Sequence, residues 1–368
     1  MNVIGIGILL LLYGLWALFS VSIHESFTLT LWRWDPSNYF YFIRQLRNIA
    51  VWVFIAFVIY KISLHKIRSR RYIILFGVII ATFLLFTPLG IELNGARLWL
   101  RVPLLWTLQP GEFFKLWFVL LMSDRLVRKK TILQSFSGFF SFCIVAWLCF
   151  LLFFLLRDNG TVLILGLTSL IMYWYLGGKK RFVLMMIWWW IIWAIVVIFS
   201  FSYVRQRFDA FLNPNADSDG RNATYQVKNA LTSVGAWGFR GKWYGMWLQK
   251  FGYIPEAQSD YIFAAFSEEV WFVGNLVLIC WYLYLFLYVL LRIRTVRDDY
   301  LRWVGVWILS LIALQAFVNI GVNINIMPST WLTLPFVSFG GTAIMVNMIE
   351  LVLLHKILIE GKEMKKLY

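Results

Sequence analysis

The sequence predicts an all-α polytopic membrane protein with about ten transmembrane helices. Of its 368 residues, 61% are hydrophobic and only 14% are charged, whereas about a quarter of the residues in a soluble domain are charged. The mean hydropathy is +0.74. Apolar runs close to the length that crosses a bilayer recur along the whole chain. They occupy 3–22, 46–64, 73–90, 111–126, 136–156, 160–177, 182–202, 261–290, 303–327 and 339–357.

The first run has neither a basic stretch before it nor a small-residue cleavage site after it. It therefore predicts a retained helix and not a signal peptide. The fourth run is the shortest of the ten. We see no internal repeat and no soluble domain, so the chain is expected to form one membrane domain over 1–368.

Basic residues follow every second apolar run, and this pattern predicts the topology. Because positive charge marks the cytoplasmic loops, both termini are expected in the cytoplasm. The net charge of +16 is then explained by topology, and no pattern typical of nucleic-acid binding accompanies it. The basic clusters lie within 61–71, 125–130, 179–181, 292–302 and 356–366.

The longest segment assigned to the outer side, 203–260, lies between the seventh and eighth helices. Loops longer than about 12–15 residues are usually functional or disordered. This one contains apolar and aromatic residues throughout, which predicts short helices lying on the outer membrane surface. Asp260 ends the segment where the eighth helix begins. Since a carboxylate at the mouth of a membrane helix usually has a partner or a function, Asp260 is our first candidate for a catalytic base.

Other polar residues lie at the outer ends of the predicted helices. Glu112 and Lys115 are three residues apart, so they share one helix face and are close enough to pair. The pair either orients the fourth helix or leaves Lys115 to bind an anionic headgroup. Asp158 lies in the tight turn 157–161, where it either caps the sixth helix or serves the site.

A second group is cationic and lies on the outer side, against the topological trend. Isolated outer cations can simply extend towards water, but together they could form an anion site. The group consists of Arg44 (with the neighbouring Gln45), Arg97, Lys228, Arg240, Lys242 and Lys250.

Cysteine and histidine residues do not indicate a disulfide or a metal site. The three cysteines lie inside apolar runs without CxxC spacing, and the three histidines are far apart in the sequence. They are Cys143, Cys149, Cys280, His24, His65 and His355.

Several short motifs occur in order along the chain and carry a family resemblance. They lie at Asn94–Trp99, Gln109–Leu116, Asp158–Thr161, Thr224–Gln226, Ile254–Ala264, Glu268–Trp271, Asn319–Gly321 and Leu334–Thr342. On these residues the chain resembles the shape, elongation, division and sporulation (SEDS) family of bacterial membrane proteins, to which RodA, FtsW and SpoVE belong. Departures from the family pattern at Arg157, Asn159, Trp243 and Trp271 indicate a divergent member.

The resemblance implies a peptidoglycan glycosyltransferase of the bacterial cytoplasmic membrane. Such an enzyme polymerises lipid II on the outer face, together with a class B penicillin-binding protein. The family's essential carboxylate falls on Asp260. No cofactor is certain; a divalent cation, Mg²⁺ or Mn²⁺, could assist the leaving group. The substrate-binding candidates are Lys115, Glu112, Arg97, Asp158, Lys242, Lys250, Arg44, Gln45 and Ser338.

Two other functions remain open from the sequence. A lipid II flippase would use the same charges to line a path for the headgroup, although transporters often contain repeats and none is found here. A non-catalytic scaffold for a penicillin-binding protein is the other. The sequence also leaves open whether the chain serves elongation, division or sporulation.

Overall fold

The computed structural model describes residues 2–31, 36–93, 96–102, 106–128, 133–216, 223–235 and 253–363. These residues form a predominantly helical bundle and one small antiparallel sheet. The helices are α1 (Val3–Val21), α2 (Ile23–Thr30), α3 (Phe40–Lys61), α4 (Leu64–Ser69), α5 (Arg71–Phe83), α6 (Pro110–Arg128), α7 (Phe136–Leu155), α8 (Asn159–Tyr175), α9 (Lys180–Ser200), α10 (Ser202–Leu212), α11 (Ala223–Gly235), α12 (Ile262–Ile293), α13 (Asp299–Asn323) and α14 (Gly341–Glu363).

The polytopic helical fold predicted from the sequence is confirmed. Each of the ten predicted ranges contains a helix, and seven helices among the described residues are long and apolar enough to cross a membrane. The other three are α5, which is short, α6, which carries several charges, and α8, with 17 residues. The number of ten crossings therefore stays a prediction.

Some predicted boundaries differ from the observed ones for local reasons. The third run was expected to continue to residue 90, but α5 ends at Phe83 and a single 3-10 turn follows at Leu84–Phe86. Pro88 explains this end, because proline lacks the donor that an α-helix needs. α13 begins four residues earlier than expected, since the Asp298 carboxylate accepts a hydrogen bond from Leu301 N at 2.9 Å and caps the helix.

The small sheet was not predicted. Its strands β1 (Gly90–Leu93), β2 (Ala96–Val102) and β3 (Trp106–Leu108) pair in the order β1-β2-β3. Along β2, Ala96, Leu98 and Leu100 are buried, while Arg97 between them is exposed. This alternation is the period of a strand with one buried face.

The predicted long segment 203–260 contains the two short helices α10 and α11. α11 packs against α12, and α10 packs against α9 and α11. Their position on a membrane surface stays a prediction.

Polar residues cluster at the two ends of the bundle. At one end, Asp124 near the end of α6 pairs with Arg71 at 2.9 Å and with Arg68 at 3.4 Å, and Arg68 also lies 3.8 Å from Asp298. We call this cluster of four residues the ion-pair end. The first residue of α6, Pro110, precedes Asp124 by 14 residues, which is about 21 Å at 1.5 Å per residue, and it lies at the other end. That end, where α3, α6 and α14 all begin and where the loop before α12 lies, is called the cavity end.

Candidate functional site

A polar cavity of about 220 Å³ lies at the cavity end of the bundle. Its walls come from the start of α3, the sheet, the loop before α12 and the segment 328–340 before α14. Carboxylate, guanidinium, amide and hydroxyl groups converge on it. The described residues that line it are Arg44, Asn48, Leu98, Trp99, Thr107, Gln109, Glu256, Ser259, Asp260, Trp331, Thr333, Phe339, Gly340, Gly341, Thr342 and Ala343.

Asp260, the predicted catalytic base, lines this cavity with a partly exposed side chain. Its main-chain carbonyl accepts hydrogen bonds from the side-chain amides of Asn319 and Asn323, both at 2.9 Å. Asn323 also accepts a hydrogen bond from Ala264 N at 2.9 Å, which satisfies a donor in the first turn of α12. The carboxylate is therefore carried by a backbone that α13 holds in place.

The electrostatic surroundings of Asp260 suit a proton acceptor. Burial among protein atoms, followed by the negative charge of Glu256, raises the pKa of Asp260 from 3.8 to about 7, and Arg207 opposes this shift. Such a pKa is well placed for general base catalysis near neutral pH. A group whose pKa departs this far from its ordinary value and which lies in a cleft is a candidate functional residue.

Glu256 extends the acidic region towards α2. Its backbone N donates to a carboxylate oxygen of Glu25 at 3.3 Å, and burial raises the pKa of Glu25 to about 7. Glu256 has φ of 53°, and Phe336 in the segment 328–340 has φ of 67°. Positive φ is uncommon for residues other than glycine and is found disproportionately at functional sites.

Arg207 is a cation of this site that the sequence reasoning missed. It lies on α10, and its guanidinium carbon is 4.2 Å from the ring centroid of Trp331, a residue of the cavity wall. It interacts electrostatically with Asp260 and Glu256, and burial lowers its pKa. Its place in the long outer segment was the available signal, but the candidates taken from that segment were Lys242 and Lys250.

The segment 328–340 forms its own tight structure. Ser338 Oγ accepts a hydrogen bond from Leu334 N at 2.8 Å and donates one to the carbonyl of Ser259. Phe339 N donates to the carbonyl of Gln258 at 2.9 Å. Ser338 is 2% exposed, and its hydrogen bond to Ser259 joins two cavity walls. A contact between Ser338 and a substrate, which the resemblance implied, stays a prediction.

Gly14 of α1 packs directly behind this segment. A Cβ atom at Gly14 would lie 2.6 Å from Val337 Cα and 2.7 Å from the Phe336 carbonyl oxygen. Both distances are far below van der Waals contact, so the close approach of α1 to this wall depends on the missing side chain.

Comparison with known proteins identifies the family. Over residues 1–363 the chain matches the model of the FtsW, RodA and SpoVE family, described as "Cell cycle protein". This chain belongs to that family. Together with its apolar helices, membership makes it a multi-pass protein of the bacterial inner membrane.

Curated relatives and solved structures agree with the family assignment. "Probable peptidoglycan glycosyltransferase FtsW" of Thiomonas intermedia is 30% identical over 381 residues, covering 98% of this chain and 89% of the relative. Stage V sporulation protein E of Bacillus subtilis is 30% identical over 350 residues, covering 92% and 91%.

Two solved structures share the fold. A chain from "Structural coordination of polymerization and crosslinking by a peptidoglycan synthase complex" has a TM-score of 0.74 at 20% identity, covering 96% of this chain and 98% of that one. Thermus thermophilus RodA has a TM-score of 0.66 at 19% identity, covering 98% and 96%.

In this FtsW, RodA and SpoVE family member, some of the other predicted site residues lie at the cavity and others do not. Arg44 lines the cavity, with its guanidinium carbon 5.7 Å from the Phe339 ring centroid. Gln45 is buried beside it and donates a 3.4 Å hydrogen bond to the Ser338 carbonyl. Both residues therefore lie at the site, with Gln45 in its supporting structure.

The pair of Glu112 and Lys115 exists, but it is buried inside the bundle. The two charged groups are 2.8 Å apart, and Lys115 is 2% exposed. Lys115 also donates to Gln315 at 2.9 Å and interacts electrostatically with Glu350, a buried acid of α14 that the sequence reasoning missed. Neither residue of the pair lines the cavity described above.

Asp158 caps α8, as one of the two readings of the sequence predicted. It accepts hydrogen bonds from Thr161 N at 3.0 Å and from Thr161 Oγ1 at 2.8 Å. Burial raises the pKa of Asp158, and the hydrogen bonds from Thr161 oppose the shift. A role for Asp158 towards substrate stays a prediction.

Of the last three candidates, only Arg97 belongs to the described residues, and it does not line the cavity. Arg97 pairs with Glu92 at 2.8 Å, and both side chains are about half exposed. On the exposed face of β2, Arg97 lies outside the set of residues that line the cavity. Lys242 and Lys250 lie outside the described residues.

No group of three or more His, Cys, Asp or Glu side chains among the described residues is arranged to hold a metal ion. Participation of Mg²⁺ or Mn²⁺ stays a prediction.

Proposed function

We propose that this chain is a peptidoglycan glycosyltransferase that polymerises lipid II at the outer face of the cytoplasmic membrane. The observation that carries the proposal is Asp260, a carboxylate with a pKa of about 7 in a polar cavity at one end of a membrane bundle. The names of the FtsW relatives support the reaction class.

The chemistry requires a base and a stabilised leaving group. Asp260 accepts the proton of the acceptor sugar's 4-hydroxyl while that oxygen bonds to the anomeric carbon of the donor. The pyrophosphate departs from the opposite face with the electrons of the broken bond, so the configuration inverts. Cations that stabilise this developing negative charge lower the barrier. Arg44 in the cavity wall and Arg207 beside it are the described residues best placed for this role.

We also propose a class B penicillin-binding protein as the partner. The support is the structural similarity to a chain of a peptidoglycan synthase complex whose description couples polymerisation with crosslinking. The apolar helix faces would hold the lipid's polyprenyl tail in the plane of the bilayer, since apolar chains partition out of water.

The test is polymerisation of labelled lipid II by the purified full chain with its penicillin-binding protein. We expect the wild type to make glycan strands, separable by gel electrophoresis. Asp260→Asn should reduce the rate by about 10²–10⁴, the usual contribution of a positioned general base.

Asp299→Asn is the matched control, because it makes the same chemical change in a partly exposed ion pair near the ion-pair end. It should polymerise at the wild-type rate. Both variants are compared by thermal unfolding in detergent. A folded Asp260→Asn protein with normal polymerisation would refute the assignment. Translocation of lipid II into vesicles without any polymer would indicate a flippase.

A further inference from the structure

Helix α13 carries three side-chain amides at intervals of four residues. They are Gln315, Asn319 and Asn323, which are 4%, 1% and 0% exposed. Residues four apart lie on the same helix face, so the three amides form a row along α13. We call this row the amide ladder.

The amide nitrogens of the ladder hold two walls of the cavity. Gln315 donates to the carbonyl of Thr333 at 3.0 Å. Asn319 donates to the carbonyl of Leu332 at 2.7 Å and to that of Asp260 at 2.9 Å. Asn323 donates to the same Asp260 carbonyl at 2.9 Å. A single helix face thus fixes the loop carrying Asp260 relative to the segment 328–340.

The amide oxygens of the ladder's two end residues are occupied as well, and this orients those side chains. Gln315 accepts from Lys115 Nζ at 2.9 Å, and Asn323 accepts from Ala264 N at 2.9 Å. A fully hydrogen-bonded polar network in a buried place is rigid, because any rotation leaves a group unsatisfied.

Apolar residues would pack this buried face at a smaller desolvation penalty than three amides. The ladder instead bonds to the carbonyls that lie beside the reacting groups. An alignment error of about 1 Å in an active site can lower a rate by about 10²-fold. The rate of a reaction that uses a positioned base would therefore depend on the contacts of the ladder.

We propose that Gln315, Asn319 and Asn323 are positioning residues that set Asp260 against the wall formed by Trp331 and Thr333. Lys115 acts on the cavity through Gln315 and does not touch the substrate. This inference rests on the proposed function and deepens it.

The first experiment replaces the amides by serine. In Asn319→Ser the new hydroxyl can donate to the carbonyl four residues earlier in the helix, so no new unsatisfied donor is buried. Ser310 of the same helix already makes such a bond, to Val306 at 2.9 Å. We expect Asn319→Ser and Asn323→Ser to lower kcat of polymerisation by about 10-fold each and KM to change little; the double variant should approach the 10²-fold loss of a misaligned site.

The pH profile separates positioning from a merely structural role. Released from the ladder, the Asp260 loop lets water reach the carboxylate, whose pKa is held up by burial and Glu256 and lowered by Arg207. We therefore expect the acid limb of kcat to move to lower pH in the serine variants. Ser310→Ala, a buried polar change on α13 that touches neither wall, should leave kcat and the acid limb unchanged.

A second experiment tests the route from Lys115. It is a double-mutant cycle of Lys115→Met and Gln315→Met in a Glu112→Gln background, so that no carboxylate of the pair is left uncompensated. If Lys115 acts through Gln315, the double variant should lose no more kcat than the worse single variant, which is the signature of coupled residues. Multiplicative losses together with a raised KM for Lys115→Met would mean direct contact with substrate and would overturn this part.

The outcomes separate the inference from the proposed function. An inactive wild type in the presence of its partner counts against the proposed function. An active wild type with serine variants of normal kcat overturns the ladder's role. A loss of kcat that parallels the loss of thermal stability, with an unchanged acid limb of the pH profile, also overturns the ladder's role. If Asn319→Ser does not fold, Asn323→Ser is judged by the same readouts.

Discussion

The two ends of the bundle use charged residues in opposite ways. At the ion-pair end, Asp124 lies within 2.9 Å of Arg71 and 3.4 Å of Arg68, in side chains that are 4–15% exposed. At the cavity end, Asp260 and Glu256 face a shared cavity of about 220 Å³. Opposite charges meet in close ion pairs at the first end, whereas at the second Asp260 lies near the negative charge of Glu256 as well as near Arg207.

This difference separates stability from chemistry. At the ion-pair end, the carboxylate of Asp124 pairs with two guanidinium groups and so joins helices α4, α5 and α6. At the cavity end, burial and the negative charge of Glu256 disfavour the ionised form of Asp260, and this opposes folding while producing a useful base. Sites where local rules of stability are broken are often the functional ones.

The largest effect on stability is expected at the ion-pair end. Asp124→Asn takes the carboxylate away from the nearly buried guanidinium of Arg71, while Arg68 keeps Asp298 at 3.8 Å. Breaking a buried pair usually lowers the free energy of unfolding by about 3–5 kcal/mol. Thermal unfolding in detergent measures it. Asp299→Asn, which breaks the more exposed pair with Arg302, should change stability by less than about 1 kcal/mol. Equal effects of the two variants would contradict the contrast drawn here.

The next largest effect on stability is expected where α1 packs against the cavity wall. Gly14→Val forces a side chain into the backbone of Val337 and Phe336, and overpacking of this kind costs about 1–3 kcal/mol. We expect a lower unfolding temperature and a lower polymerisation rate in the protein that remains folded. Gly77→Val on α5 is the control, since its Cβ meets nothing within 4 Å. A Gly14→Val protein with unchanged activity would show that this wall is not needed in its observed position.

The pH dependence of activity follows from the pKa of Asp260. With that pKa raised to about 7, the carboxylate is protonated below this pH and cannot act as a base. Polymerisation should fall about tenfold per pH unit below pH 7. The contribution of Asp260 to stability changes in the opposite direction. Between pH 3.8 and about 7 the folded state binds this proton more tightly than the unfolded state, so lowering the pH through this range stabilises the fold. A flat rate between pH 5 and 8 would contradict the role of Asp260.

The smallest effect is expected at the sheet. Arg97→Gln breaks a half-exposed pair with Glu92, and such pairs contribute at most about 1 kcal/mol. Since Arg97 lies outside the residues that line the cavity, we expect little change in the KM for lipid II. A large rise in KM would mean that the sheet reaches the substrate and that the resemblance predicted Arg97 correctly.

The sequence was sufficient for the helical membrane fold and for the place of Asp260 just before α12. Apolar length and alternating basic clusters are properties of single segments, so they can be read along the chain. Asp260 was visible because a carboxylate is conspicuous at the edge of an apolar run. The short sheet was missed because strands of three to seven residues leave little pattern in an outer loop.

The supporting residues could not be found in the same way. Asn319 belonged to a recognised motif, but Asn323 and Gln315 are single amides within an apolar helix, and only the fold brings them to the cavity walls. Lys115 shows the converse case. The sequence left two places open for it, a pair with Glu112 that orients the helix or a cavity that binds an anionic headgroup. Only the surrounding helices show that its ammonium is buried against Glu112 and Gln315.

The left-handed backbone at Glu256 bears on how a bulky ligand could enter. A non-glycine residue in this conformation is strained by about 1–3 kcal/mol, which local opening of the loop would release. We therefore expect the amides around Glu256 to exchange with solvent hydrogen before those of α12 and α13. The opening would stop at Asp260, whose carbonyl is gripped by two side chains. The loop at Glu256 would thus open beside the cavity while the backbone of Asp260 stays in place.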